Sequence, residues 1–281
     1  MDIVIVGGGP AGLSHAFQLL KINPDLKLTL LEKSPHIGGR THQIRFHGLL
    51  VPGGAGVGRL KKDRKLYKLL RELSLPTHIF TSNPSYHGFT PINVIDIISR
   101  LRGIYANTPS HTLAKATFKD FAIHHLGKDT YTAFTTTVGF TDYEHTNIYD
   151  VLYNYGFDDT VAGETKFTVP WNDLIATLVA CINSYPNATI LTNTHIIDVS
   201  PTHCHVTLSN NTILKYQSIH LAVPPKAIHS SPPLLQLLST TPRLVTYIHS
   251  IRCHPFIYIY AHIPTSTPIN TIFHATFNTM T

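Results

Sequence analysis

The chain is poor in cysteine and in charge, and it has no long apolar run. Its three cysteines, Cys181, Cys204 and Cys253, are too few and too scattered for a disulfide framework, and no C-x-x-C pair occurs. This excludes a small disulfide-stapled scaffold and predicts a reducing, cytoplasmic setting. The longest apolar runs, such as the stretch FIYIYA at 256–261, are strand-length. A membrane helix needs about 20 apolar residues, so no transmembrane span is expected. Asp2 stands where a secretory leader would carry positive charge. Charged residues make up only 14% of the 281 positions, with a formal charge of +6. That balance suits an anionic cofactor or substrate. No aromatic-interleaved basic array and no helix-turn-helix pattern is present, so nucleic acid is not an expected partner. Histidine is abundant, with 19 copies, but neither H-E-x-x-H nor paired C-x-x-C spacing accompanies it, and no metal is assigned. A G-x-S-x-G nucleophile motif is also lacking.

What is present is concentrated at the N-terminus, in IVIVGGGPAGLSHAFQLLKINPDLKLTLLEKSPHIGGRT at 3–41. An apolar strand turns on Gly7, Gly8 and Gly9 and enters an amphipathic helix near Pro10 and Ala11. The turn reads G-x-G-x-x-G at Gly7, Gly9 and Gly12. Glycines let the chain reverse sharply and let a pyrophosphate approach bare backbone, while the helix N-terminus offers free N–H groups to that anion. A second apolar strand, LKLTLLE, ends on Glu32, twenty residues after Gly12. An acidic residue there accepts hydrogen bonds from an adenosine ribose. Lys33 follows it, and then comes a second glycine pair, Gly38-Gly39, with Arg40 and Thr41. A nicotinamide-binding fold does not need this second box. A loop lying along the FAD pyrophosphate does, with the guanidinium pairing to phosphate.

In these three features the sequence resembles the flavin-containing amine oxidase superfamily, which includes monoamine and polyamine oxidases, protoporphyrinogen oxidase and carotenoid desaturases. The resemblance continues at 47–78, where a strand leads to a glycine-rich flavin loop at Gly53, Gly54 and Ala55 and then to a helix over 61–73. Pro52 stands where many members have an acidic residue. The basic residues of that helix, Lys61, Lys62, Arg64, Lys65, Lys68 and Arg71, are expected on a solvated face opposite its leucines. The segment 166–228 resembles the family's return to the flavin domain, and the family's adenine-holding backbone points to Ile196 or a neighbour. The apolar strand LAVPP at 221–225 matches the one that closes this segment.

The resemblance implies an α/β fold: a Rossmann-like FAD/NAD(P)-binding domain with an inserted α+β substrate domain. The expected organisation is a first FAD-binding segment at 1–78, a mostly helical substrate-domain insertion at 79–165 and a second FAD-binding segment at 166–228. Substrate-domain strands at 229–281 complete it, two of them within 244–263. Family members usually continue to a final G-D segment beside the flavin, and the lysine that several amine oxidases hold near the flavin also has no counterpart at 244–263. The ending therefore reads as truncated. The tyrosines of 143–157 are expected as core and rim residues rather than a pocket lining. The activity implied is FAD-dependent oxidation of a C–N or C–C bond in a small molecule such as an amine, with no catalytic side chain assigned. The alternative is a non-catalytic protein on the same scaffold, like a GDP-dissociation inhibitor or a truncated pseudoenzyme. Substrate identity and oligomeric state are left open by the sequence.

Overall fold

The structure is a computed structural model that describes residues 2–82, 89–109, 113, 116–157, 163–251, 253 and 259–262. The chain begins with β1 (Asp2–Val6), α1 (Pro10–Ile22), β2 (Lys27–Leu31), β3 (Gln43–Phe46), β4 (Leu49–Pro52), β5 (Gly58–Arg59) and α2 (Arg64–Glu72). It continues with β6 (Ile79–Ser82), α3 (Val94–Ala106), α4 (Phe118–Leu126), α5 (Lys128–Val138), α6 (Ile148–Asn154), β7 (Glu164–Phe167) and α7 (Trp171–Asn183). Next come β8 (Ala188–Leu191), β9 (Ile196–Ser200), β10 (His205–Leu208), β11 (Ile213–Lys215) and β12 (Ser218–Leu221). The last described elements are α8 (Pro225–His229), α9 (Pro232–Leu237) and α10 (Pro242–Ser250).

The described residues divide into two compact units, one of 2–57, 65–77 and 168–262, the other of 58–64 and 78–167. The first is built on a parallel sheet of order β12-β1-β2-β8. Parallel strands covered on both faces carry near-continuous apolar runs. Ile3 to Val6 and Leu28, Leu30 and Leu31 are accordingly all buried. Pro10 starts α1 because its missing N–H costs nothing in a first turn. The buried stripe of α1 is Leu13, Ala16, Phe17 and Leu20, and α7 packs beside it. Each large side chain of this stripe, fully buried, stabilises the fold by about 1.5–3 kcal/mol. A second cluster joins Val4, Val6 and Leu31 to Val199, Val206 and Leu208 of an antiparallel β9–β11 sheet and to Ile228, Leu234 and Ile248 of the last helices. The chain passes from β1 to β2 on one side, while β12 lies on the other. The C-terminal ends of β1, β2 and β12 therefore meet at a topological switch point, where open α/β sheets bind ligands.

The second unit is mostly helical and packs around Phe118, Phe134, Tyr143 and Phe157. Its α4 begins on a capping box, Thr117 with Asp120, and Gly127 at φ 80° separates it from α5. The small sheet β5-β7-β6 completes the unit.

One expectation is corrected. The first half of 244–263 is not a strand but the helix α10. Its apolar residues alternate loosely enough to fit a strand, yet Pro242 at the first helical position sets the helical φ, and Ile248 alone of the helix is buried. Residues 229–251 group with the first unit, built on the parallel sheet, rather than with the helical one. Residues 252, 254–258 and 263–281, over which the remaining strand reading and the unusual ending fall, lie outside the described residues.

Candidate functional site

Three glycine-bearing segments converge at the C-terminal edge of the parallel sheet. The first is the turn after β1. Gly7 holds φ +114°, and a Cβ there would meet the Ala222 carbonyl oxygen at 2.5 Å. A Cβ on Gly12 would fall 1.9 Å from the Gly7 carbonyl oxygen, so these two glycines are required by close packing. Gly9 is different: a Cβ there would meet nothing within 4 Å. Its backbone faces open space at the mouth of α1. Among the described residues, the N–H groups of Gly9, Ala11 and Gly12 find no backbone acceptor.

The second segment is Gly38–Thr41. Gly38 (φ +116°) donates its N–H to the Gly8 carbonyl oxygen (2.9 Å), and a Cβ on Gly39 would lie 3.3 Å from Gly9 Cα. The two glycine boxes thus pack directly on one another. Thr41 closes the loop, its N–H and hydroxyl both donating to the Gly38 carbonyl oxygen at 3.1 and 2.7 Å. Arg40 and Lys33 are exposed. Neither side chain has a hydrogen bond or ion pair among the described residues.

The third segment, Gly53–Gly56, lies against the second. Gly53 donates to the His42 carbonyl oxygen (2.8 Å) and Ala55 to that of Arg40 (2.9 Å). A Cβ on Gly54 would sit 1.9 Å from the Arg40 carbonyl oxygen. The structure thus brings Gly53, Gly54 and Ala55 beside Arg40.

Glu32 sits at the end of β2, held by two backbone donors. The Gly8 N–H donates to Oε2 (2.8 Å) and the Ser34 N–H to Oε1 (2.7 Å). An ionised carboxylate has about four lone-pair sites, so these bonds orient the group and leave acceptor capacity over. Beside it, Asn193 donates its N–H to the Ser34 carbonyl oxygen (3.1 Å) and Thr194 to that of Glu32 (2.9 Å). This brings the segment before Ile196 next to the acidic residue. The Ile196 side chain is itself buried in the core with Val4 and Val6, leaving only its backbone for ligand contact.

The donors on Glu32 and the supports under the third segment are features that sequence reasoning missed. The donors leave no motif because they are backbone N–H groups. In the helical unit Tyr131 and Tyr143 are core, Tyr155 packs against it, and Tyr149 and Tyr153 are exposed on the rim. Tyr131, Tyr143 and Tyr155 have phenols pushed well above their usual range. Burial is the main cause, with Glu144 or Asp142 adding to it. They stay protonated and are poor bases. The six basic residues of 61–71 are all exposed, as a solvated face requires.

Comparisons with known proteins agree with this geometry. A protein-family model described as an NAD(P)-binding Rossmann-like domain matches residues 5–73, which hold all three glycine segments. Over 95 residues the chain is 30% identical to coproporphyrinogen III oxidase of Bacillus subtilis, a match covering 32% of this chain and 20% of that one. Its fold is shared with an oxidoreductase from Methanosarcina mazei (TM-score 0.56, 14% identity), a match covering 90% of this chain and 66% of that one. Putrescine oxidase bound to putrescine is also similar (TM-score 0.58, 17% identity), covering 83% of this chain and 60% of that one. The chain therefore spans less than two thirds of these solved relatives and matches a fifth of the curated one. The α/β fold with a Rossmann-like domain is established.

Proposed function

We propose that this chain binds FAD and serves an oxidoreductase of the flavin-containing amine oxidase type acting on a small molecule such as an amine. The carrying observation is the packing of the second glycine box on the first, through Gly38 and Gly39 against Gly8 and Gly9. Beside them the Arg40 guanidinium is left unpaired among the described residues. A single glycine turn serves any dinucleotide, whereas the added loop and fork match a longer pyrophosphate path.

The residues fit the cofactor. Gly7, Gly9, Pro10, Ala11 and Gly12 present the helix N-terminus to the pyrophosphate. Glu32, held by Gly8 and Ser34, accepts from the ribose. Gly38, Gly39, Arg40 and Thr41, with Lys33 nearby, line the phosphate path, and Gly53, Gly54 and Ala55 extend it toward the flavin. The backbone at Ile196 borders the adenine. Bound FAD supplies the electron sink for oxidising a C–N or C–C bond. The chain's own contribution is to bind and orient it, and no acid or base is assigned among the side chains.

Titrating the purified protein with FAD and with NAD tests this reading. FAD is expected to bind more tightly. Glu32→Ala should weaken it by about 1–3 kcal/mol, the range for loss of a charged hydrogen-bonding partner. Tighter NAD binding, or equal FAD affinity in the variant, would overturn it.

A further inference from the structure

Besides the His42 and Arg40 carbonyls, the third glycine segment has a second support, from far along the chain. It belongs to an excursion, 43–56, whose hairpin β3–β4 pairs only with itself among the described residues. The excursion is tied to the rest of its unit at both ends by the first two residues of α7. At the entrance Gln43 and Asn172 exchange three hydrogen bonds: Gln43 N–H to Asn172 Oδ1 (3.0 Å), Asn172 Nδ2 to the Gln43 carbonyl oxygen (3.2 Å) and Asn172 N–H to Gln43 Oε1 (3.4 Å). The Asn172 amide thus reads the Gln43 backbone as a neighbouring strand would. At the exit the Trp171 indole N–H donates to the Gly56 carbonyl oxygen at 2.7 Å. The residue is 7% exposed, so removing the acceptor would leave a largely buried donor without its partner. One turn further along, Ile175 packs under Gly38, 3.4 Å from where a Cβ would stand.

From this arrangement we infer that Trp171 and Asn172 are positioning residues of the cofactor cradle. With the His42 and Arg40 carbonyls they hold the flavin-side glycine segment, whereas on the adenosine side Glu32 is held by Gly8 and Ser34. The inference rests on the FAD reading above. Its consequence is a division of labour within one site. The α1 mouth and Glu32 recognise the nucleotide half, which AMP shares with FAD. The α7 clamp governs only the half that AMP lacks.

The test compares FAD and AMP binding, by flavin fluorescence and by calorimetry, in wild type, Trp171→Phe, Asn172→Ala and Asn172→Asp. Trp171→Phe keeps an aromatic ring and removes the donor. Asn172 is exposed, so its variants leave the core intact if the buried Trp171 variant folds poorly. Asn172→Asp retains the acceptor for the Gln43 N–H and loses the donor. Trp171→Phe and Asn172→Ala should each weaken FAD binding about tenfold, the loss of one to two hydrogen bonds. AMP affinity should not change, and Asn172→Asp should fall between Asn172→Ala and wild type. Unchanged FAD affinity, or FAD and AMP weakened in parallel, would overturn the inference while leaving the FAD reading in place. A wild type that binds AMP but not FAD, or neither, would overturn both.

Discussion

Gly9→Ala should separate folding from binding, and Gly12→Ala should do the reverse. Gly9 is the N-cap of α1, with φ −79° and ψ −180°, a conformation that alanine adopts freely. Restricting the unfolded chain stabilises by about 0.4–1 kcal/mol. Alanine is a poorer N-cap than glycine by a similar amount. The two terms cancel, and an added Cβ meets no atom within 4 Å. The melting temperature of the apoprotein should therefore be nearly unchanged. The methyl group would stand in the open space at the helix mouth, where a pyrophosphate must reach backbone N–H groups, so FAD binding should fall about tenfold or more. At Gly12 the added Cβ would lie 1.9 Å from the Gly7 carbonyl oxygen and 3.1 Å from its carbon. Both are backbone atoms, so the turn itself must move, at about 1–3 kcal/mol for overpacking. In a chain of this size that is a fall of several degrees in melting temperature. The assay is thermal unfolding with and without saturating FAD, since a ligand bound only by the native state raises the transition. Wild type should show the FAD-induced rise, Gly9→Ala a normal apo transition with little rise, and Gly12→Ala a lowered apo transition. A full FAD-induced rise in Gly9→Ala would refute the argument that its backbone faces the ligand. An apo transition as low as that of Gly12→Ala would refute the packing argument.

Arg40→Lys should leave the melting temperature unchanged, because the exposed guanidinium has no partner among the described residues. It should nonetheless weaken FAD about tenfold, since lysine lacks the planar fork that pairs two phosphate oxygens; equal affinity by titration would exclude that pairing. The His15–His220 contact joins α1 to β12, with Ser218 Oγ 2.7 Å from the other nitrogen of His220. Burial, and then the neighbouring His15, lowers the His220 pKa below its usual value. The folded state therefore binds fewer protons than the unfolded state, so stability should be lost as pH falls from about 6.5 through the lowered pKa and be regained as pH rises. Melting temperatures across that window should show a shallower slope in His220→Gln; an identical slope would mean that the pair does not sense pH.

The portion of the site written in short windows was legible from the sequence alone. Gly7, Gly9 and Gly12 encode a reversal that few other residues permit, Glu32 ends an apolar strand at a fixed distance, and Gly38-Gly39-Arg40 begins six residues later. Local backbone requirements of this kind are met by residue type, so they survive in the order of letters. Helix α10 shows where local pattern misleads: Leu244, Val245, Tyr247 and Ile248 fit either period, and Pro242 was the deciding signal. Other features had no local signature at all. That Gly9 faces space while Gly12 is packed shut, that Glu32 is held by two backbone donors, and that Asn172 grips Gln43 across 129 positions depend on which surfaces the fold brings together. An asparagine and a glutamine look like any polar pair in a sequence. Only tertiary structure decides that the Asn172 amide pairs with the Gln43 backbone of the two-stranded hairpin while the Gln43 amide accepts from the first turn of α7, because hydrogen bonds are set by distance and direction in space rather than by separation along the chain.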